Sequence, residues 1–376
     1  MDLSLNETQL MLQSMAREFV EREVPKAVVR AIDESESGFS PDLWRKISDL
    51  GWPGMAVPEA YGGTGNSLSD LAVVFEVLGQ NATPSPLLSQ VLCAHLIVGI
   101  GSAEQHKTLL PAIATGDRIG AFALTESDYG WTANSVNLRA VVNGAQATLD
   151  GKKVFVPYAH VCDDLYVLAR TSDAGHTLVR VDGHAAGVIV RRQSGWLGEP
   201  VCEVTLKAVT GDVIGEVGTA WLGVQSAIDK SVALLAAYML GGAQASFDLA
   251  VEYSKTRFAF GQPIGTFQRV QDLIIRILND VDAIRWTTYE ALWKLDELHP
   301  DSSIAASMAK AVASEGFQSS TENSLYVHAG AGMDLDYGLT NHIKRSKLYS
   351  HYLGDANHHK LRMADLLGLE GDLQSD

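Results

Sequence analysis

The chain has little cysteine, little proline and a shortage of basic residues. Its three cysteines, Cys93, Cys162 and Cys202, lie far apart among 376 residues and form no C-x-x-C pair. That spacing fits neither a disulfide framework nor a zinc site, and it suits a reduced, cytoplasmic protein. With 11 prolines and 34 glycines the chain is not collagen-like or mucin-like, and 46% hydrophobic residues exclude a mainly disordered one. Against 45 Asp and Glu stand only 29 Lys and Arg, a formal net charge of −16. Such a field repels polyphosphate, which argues against nucleic acid and against an anionic membrane surface as partners. The most apolar stretch, Val232 to Met239 and on through Gly241-Gly242, is interrupted by Gln244 and Asp248. It falls short of the ~18–20 apolar residues that span a bilayer and reads as a buried helix. The segment Met1-Asp2-Leu3-Ser4-Leu5 lacks the basic and then apolar regions of a signal peptide.

Several common site motifs are also missing. Gly101-Ser102-Ala103-Glu104-Gln105-His106-Lys107-Thr108 has His106 where a phosphate-binding loop needs its second glycine, and no strand precedes it. Gly330-Ala331-Gly332 has no third glycine opening a helix, so the dinucleotide-binding pattern fails. There is no G-x-S-x-G, no H-E-x-x-H, and only the start of a calcium loop at Asp334-Leu335-Asp336. Adjacent His358 and His359 diverge by about 100° on a helix and read as solvated surface residues.

Three zones of different period are present. Residues 1–118 read as a helical domain: Asn6 with Gln9 forms a capping box, Pro25 ends the first helix, and Ser40-Pro41 opens a second that stops before Gly51. Ser67 with Asp70 starts another helix, closed by Gly79. Residues 119–218 carry short β-branched and aromatic runs such as Val154-Phe155-Val156 and Leu165-Tyr166-Val167-Leu168, separated by Asp-Gly turns. Without intervening helices they predict an antiparallel β domain. Residues 219–376 return to helical period in four long segments, roughly 220–256, 266–298, 301–330 and 339–366, a four-helix bundle. The fold class is therefore α+β, helical, then β, then helical.

Within this frame, Ala121-Phe122-Ala123-Leu124-Thr125-Glu126-Ser127 and Lys153-Val154-Phe155-Val156-Pro157 are followed by a long motif. It runs Tyr253-Ser254-Lys255-Thr256-Arg257-Phe258-Ala259-Phe260-Gly261-Gln262-Pro263-Ile264-Gly265-Thr266-Phe267-Gln268. In order and spacing these segments resemble the acyl-CoA dehydrogenase flavoproteins, with A-x-A-L-T-E-P, K-x-W-I-T and Y-x-x-x-R-x-x-F-G-x-P-I-x-x-F-Q. A weaker match joins Tyr326-Val327-His328-Ala329-Gly330-Ala331-Gly332 to the family's Q-x-x-G-G-x-G, and Tyr352-Leu353-Gly354-Asp355 to its Y-E-G-T. The resemblance covers essentially the whole chain.

The resemblance implies FAD as cofactor, an acyl-CoA thioester as substrate and electron-transfer flavoprotein as acceptor. It places Thr125, Phe155, Arg257, Phe260, Phe267, Gln268, Tyr326, Gly330 and Asp355 at the cofactor. Arg257 suits a diphosphate because its planar fork makes two charge-assisted bonds, here to FAD held mainly by a neighbouring subunit. Outside the motif, Arg257 reads as a solvated helix-end cation and Thr125 as filler on a sheet face. Family catalysis removes a proton α to the thioester with a glutamate while the β-hydrogen leaves as hydride. That glutamate is replaced here by Leu353, and at the position used by other members the residue is Ser231. Asp229 and Asp355 are the nearest substitute bases in sequence. Tyr326, Ala329 and Pro157 replace the family's Gln, Gly and Thr. The pattern resembles the base-less subunit of actinobacterial heterotetramers that desaturate steroid side-chain thioesters beside a second acyl-CoA dehydrogenase-like subunit. Two alternatives stand beside it: a self-sufficient flavoenzyme with a relocated base, and a catalytically silent scaffold.

Overall fold

Asn6 starts the first helix as its spacing predicts, accepting from the Gln9 N–H at 2.9 Å while Gln9 accepts from the Asn6 N–H. In this computed structural model residues 4–172, 175–193, 195 and 198–369 are described. Six helices come first: α1 (Glu7–Glu23), α2 (Lys26–Glu34), α3 (Pro41–Asp49), α4 (Leu68–Gln80), α5 (Leu87–Ile100) and α6 (Ala103–Ala114). Pro25 does more than end α1, since it stands at the N-cap of α2, a helix the sequence reading had not separated. Ser102 and Gln105 form a capping box on α6, so the stretch tested as a phosphate loop is an ordinary helix start.

Gly79 does not close α4, which runs on through Gln80. A Cβ on Gly79 would lie 1.9 Å from the Tyr238 carbonyl oxygen, and one on Gly241 the same 1.9 Å from that of Glu76. These two glycines let α4 cross the long helix α7 (Trp221–Thr256) backbone to backbone. Helix α7 has a window long and apolar enough to cross a membrane by length and composition, yet 72% of that window is buried inside the fold.

The sheet follows, with strands β1 (Gly120–Ala123), β2 (Ala140–Asn143), β3 (Gln146–Pro157), β4 (Asp164–Arg170), β5 (His176–Asp182), β6 (Val188–Arg192) and β7 (Val201–Ile214). Their order is β1-β4-β5-β7-β3-β2, with β6 also on β7. Every pairing is antiparallel, as predicted, except β1 with β4, which is parallel. The long excursion through β2 and β3 supplies the crossover that a parallel pair requires. A bulge between Lys153 and Val156 leaves Phe155 at φ 56°.

After α7 a small hairpin, β8 (Phe258–Ala259) and β9 (Gln262–Pro263), turns through Phe260 at φ 54° and Gly261 at φ 81°. Then come α8 (Gln268–Asp296) and α9 (Ser302–His328). The last predicted helix, 339–366, is two: α10 (Leu339–Tyr349) and α11 (Ala356–Leu366). The break has a local cause. Leu353 (φ 58°) and Gly354 (φ 107°) turn the chain, and the Asp355 carboxylate then caps α11 by accepting from the His358 N–H at 2.8 Å.

Candidate functional site

Two adjoining cavities open between the sheet and the last two helices. One, of about 420 Å³, is lined by Thr125, Tyr129, Trp131, Phe155, Lys347 and His351. The second, of about 520 Å³, has Leu124, Trp131, Trp221, Ile228, Leu353 and His358 among its walls. Trp131 belongs to both, and Leu124 and Thr125 are neighbours in the chain.

Thr125 stands two residues past the end of β1, and its carbonyl accepts from the Val154 N–H at 2.9 Å. Beside it, the fully buried Lys153 donates to the Leu124 carbonyl at 2.9 Å and to the Glu126 carboxylate at 2.8 Å. Glu126 also accepts the backbone N–H groups of Asn137 and Leu138, so its oxygens are spent on holding the Glu126–Leu138 loop. Among the described residues the Thr125 hydroxyl makes no hydrogen bond. A free hydroxyl, a strand end and the apolar walls of Phe155, Trp131 and Tyr129 suit a flat, amphipathic ring such as a flavin. Those residues fit the ring half of FAD; Thr125 would meet its polar edge and Phe155 its face.

Leu353 is buried in the break between α10 and α11 and lines the second cavity. Its carbonyl accepts from His359 Nε2 at 3.0 Å. Lys310 of α9, fully buried, donates to the Ser350 and Gly354 carbonyls at 3.2 and 2.7 Å and so pins both ends of the turn. Burial brings the Lys310 ammonium down to about 7.

Neither substitute base is free. Asp229, buried on α7, forms a two-pronged ion pair with Arg362, the Nη2 to Oδ2 contact being 3.0 Å, and accepts from Ser303 Oγ at 2.7 Å. It ties α7, α9 and α11 together. Asp355 is engaged as the cap of α11. Ser231 is fully buried, and its hydroxyl has no hydrogen-bond partner among the described residues. Replacing Asp229→Asn is expected to lower stability by about 1.5–3 kcal/mol, the range for a hydrogen bond to a charged group. Urea denaturation would show it.

The histidine pair differs from the sequence reading. His359 is fully buried, not solvated, and His358 lines the second cavity with its ring 5.4 Å from that of Trp131. Burial lowers the pKa of both. The adjacency rule missed them because the turn at Leu353 and Gly354 folds back over the first turn of α11. A Cβ on Gly354 would lie 2.6 Å from His358 Cδ2 and 2.8 Å from His359 Nε2.

A second group of residues lies elsewhere. Arg257, Phe260 and Gln268 are exposed around the hairpin, and Phe260 is 96% exposed. The Phe260 and Phe267 rings meet edge-to-face at 6.1 Å. The Ile264 N–H donates to the Arg257 carbonyl at 2.9 Å, which closes the hairpin. No carboxylate among the described residues pairs with Arg257. Tyr326 and Gly330, at the end of α9, are exposed too. That end meets the end of α7 through Tyr253 and His328, whose rings are 4.5 Å apart. None of these six lines either cavity. Of the nine predicted cofactor residues, Thr125 and Phe155 line the cleft, these six lie away from both cavities, and Asp355 caps α11.

Residues 6–117 match the acyl-CoA dehydrogenase N-terminal domain and residues 221–367 the acyl-CoA dehydrogenase C-terminal domain. A probable acyl-CoA dehydrogenase of Bacillus subtilis, YngJ, is 27% identical over 363 residues, 93% of this chain and 94% of that protein. A variant of the Tcur3481–Tcur3483 steroid ACAD is 31% identical with a TM-score of 0.89, covering 97% of this chain and 99% of that one. The ChsE4–ChsE5 complex of Mycobacterium tuberculosis is 26% identical with a TM-score of 0.89, covering 99% and 100%.

Proposed function

This chain belongs to the acyl-CoA dehydrogenase family, and from that premise we propose that it is one subunit of a hetero-oligomer that desaturates an acyl-CoA thioester between its α and β carbons. The split of the site carries this reading. In this reading Leu353, which lines the cleft, takes the place of the family's carboxylate, while the exposed Arg257 pairs with no carboxylate among the described residues. In this reading a second acyl-CoA dehydrogenase-like subunit supplies the glutamate, and Arg257, Phe260, Phe267 and Gln268 complete the diphosphate end of the FAD that it holds. When bound, FAD supplies the acceptor for the β-hydrogen; electron-transfer flavoprotein takes the electrons onward. The similarity to a steroid ACAD favours a bulky, steroid-derived acyl group.

Arg257 acts as a fork: two parallel N–H donors match two oxygens of a diphosphate, which a lysine ammonium cannot reproduce. Co-expression of this chain with an acyl-CoA dehydrogenase-like subunit that carries the glutamate is expected to give a yellow, active complex. In that complex Arg257→Ala should weaken FAD binding by about 10- to 100-fold, from the 1.5–3 kcal/mol of a charged hydrogen bond. Arg257→Lys should recover only part of it. Flavin absorbance after dialysis measures both. A fully FAD-loaded, active homo-oligomer made from this chain alone would sink the reading.

A further inference from the structure

The cleft of this chain has lost its carboxylate but not its capacity to take a proton, and the geometry points to His358 as the acid–base group of this chain's own cavity, accepting the α-proton of a bound acyl thioester. The inference rests on the reading above for its substrate class and goes beyond it in giving this cavity chemistry of its own.

The cavity's walls at the level of Leu353 are apolar: Leu124, Trp131, Trp221 and Ile228. Of its ionisable groups, Arg362 is spent on Asp229 and Ser307. His359 gives Nε2 to the Leu353 carbonyl. Asp365 is exposed. His358 remains. Its backbone N–H is held by the Asp355 carboxylate, which fixes where the side chain starts, and the ring is confined between Trp131 and the perpendicular ring of His359, 5.0 Å away. Among the described residues, neither ring nitrogen has a hydrogen-bond partner. The ring lies against Gly354, with its Cδ2 2.6 Å from where a Cβ there would stand, so the imidazole sits next to the turn whose Leu353 replaces the family's glutamate in this reading.

Charge suits the role. Burial lowers the His358 pKa first, with Arg362, Lys310, Asp355 and Asp365 as the charged groups around it and His359 beside it. The imidazole is therefore neutral at pH 7, with a lone pair available. The step balances without an oxidant. The α C–H bond breaks, its electron pair moves into the thioester as an enolate, and the proton forms an N–H bond on His358. Return of a proton from the exchanged imidazole restores the thioester.

The test is hydrogen exchange, which reads proton transfer apart from oxidation. Full-length protein with added FAD is incubated with octanoyl-CoA in D₂O, and deuterium at the α-carbon is followed by mass spectrometry. Binding is followed separately by quenching of tryptophan fluorescence, since Trp131 and Trp221 line the cavity. The wild-type chain is expected to exchange, His358→Gln to lose about 10²-fold or more of the rate, and Asp212→Asn, outside both cavities, to keep it. The wild-type rate should fall as pH drops through an inflection below 6.5, because protonation removes the acceptor. If His358→Gln proves unstable in circular dichroism, His358→Asn takes its place, and the inflection should be missing from either variant. Octanoyl-CoA that binds without exchange, exchange unchanged by His358→Gln, or a rate flat with pH would overturn the inference and leave the Arg257 reading standing. Absence of binding would overturn the substrate class and the inference with it.

Discussion

Introducing Leu353→Glu into a chain that also carries His358→Gln is expected to raise α-proton exchange of octanoyl-CoA by about 10²–10⁴-fold, the usual contribution of a positioned general base. The backbone already meets the main requirement. Leu353 is held at φ 58° by Lys310 and His359 acting on the turn, and a glutamate there inherits the same strain that leucine already bears. Its side chain enters the same cavity at nearly the same volume. Burial then raises the new carboxyl's pKa toward neutrality, where a carboxylate becomes a better proton acceptor. Lys310, at about 7 beside the turn, moderates that rise when protonated. Burying the carboxylate costs about 1–3 kcal/mol of stability, which thermal denaturation would register. Leu353→Gln in the same background is the control, since it has the shape without the acceptor. Equal exchange rates for the two variants would show that the turn does not aim residue 353 at the α-carbon.

The same turn explains where sequence reasoning succeeded and where it stopped. Local signals were legible. Asn6 with Gln9, Ser67 with Asp70 and Ser40 with Pro41 are caps whose hydrogen bonds close within four residues, and each appears as spaced. Period alone separated helices from strands. What stayed hidden depends on contacts between distant segments. Gly79 looks like a helix end because glycine favours one, yet its role is set by Tyr238, far along the chain. Residues 339–366 have one continuous helical pattern, and only the left-handed pair Leu353-Gly354 breaks it. That break turns His358 toward Trp131, a residue of the β domain, and no spacing rule links the two. The motifs single out Thr125 and Phe155, and both line a cavity, whereas the occupation of Asp229 by Arg362 was not legible. Ion-pair partners 133 residues apart leave no local trace.

Arg345→Met is expected to cost about 3–5 kcal/mol, the range for removing one partner of a buried charge network. Arg345 of α10 is fully buried; its Nη2 donates to Asp33 of α2 at 2.8 Å, and its Nε lies 3.6 Å from Glu199, just before β7. The Glu199 carboxylate also accepts from the Tyr349 hydroxyl at 2.5 Å and the Tyr158 hydroxyl at 3.0 Å. One guanidinium therefore joins all three zones of the chain, and methionine would leave two carboxylates facing each other without a cation. The loss should depend on pH. Burial holds the Glu199 pKa above its ordinary value, and Arg345 opposes that rise. Without Arg345 the folded-state pKa climbs further. A carboxyl raised in the folded state favours folding below its unfolded pKa and loses that contribution as pH rises through the folded one. The variant should therefore be weakest near pH 8 and recover part of its stability toward pH 5, as Glu199 takes up a proton. Urea denaturation at the two pH values measures the difference. Adding Asp33→Asn and Glu199→Gln to Arg345→Met removes the stranded charges and should restore most of the loss. A triple variant as unstable as the single one would mean that lost packing, and not uncompensated charge, is what Arg345 supplies against.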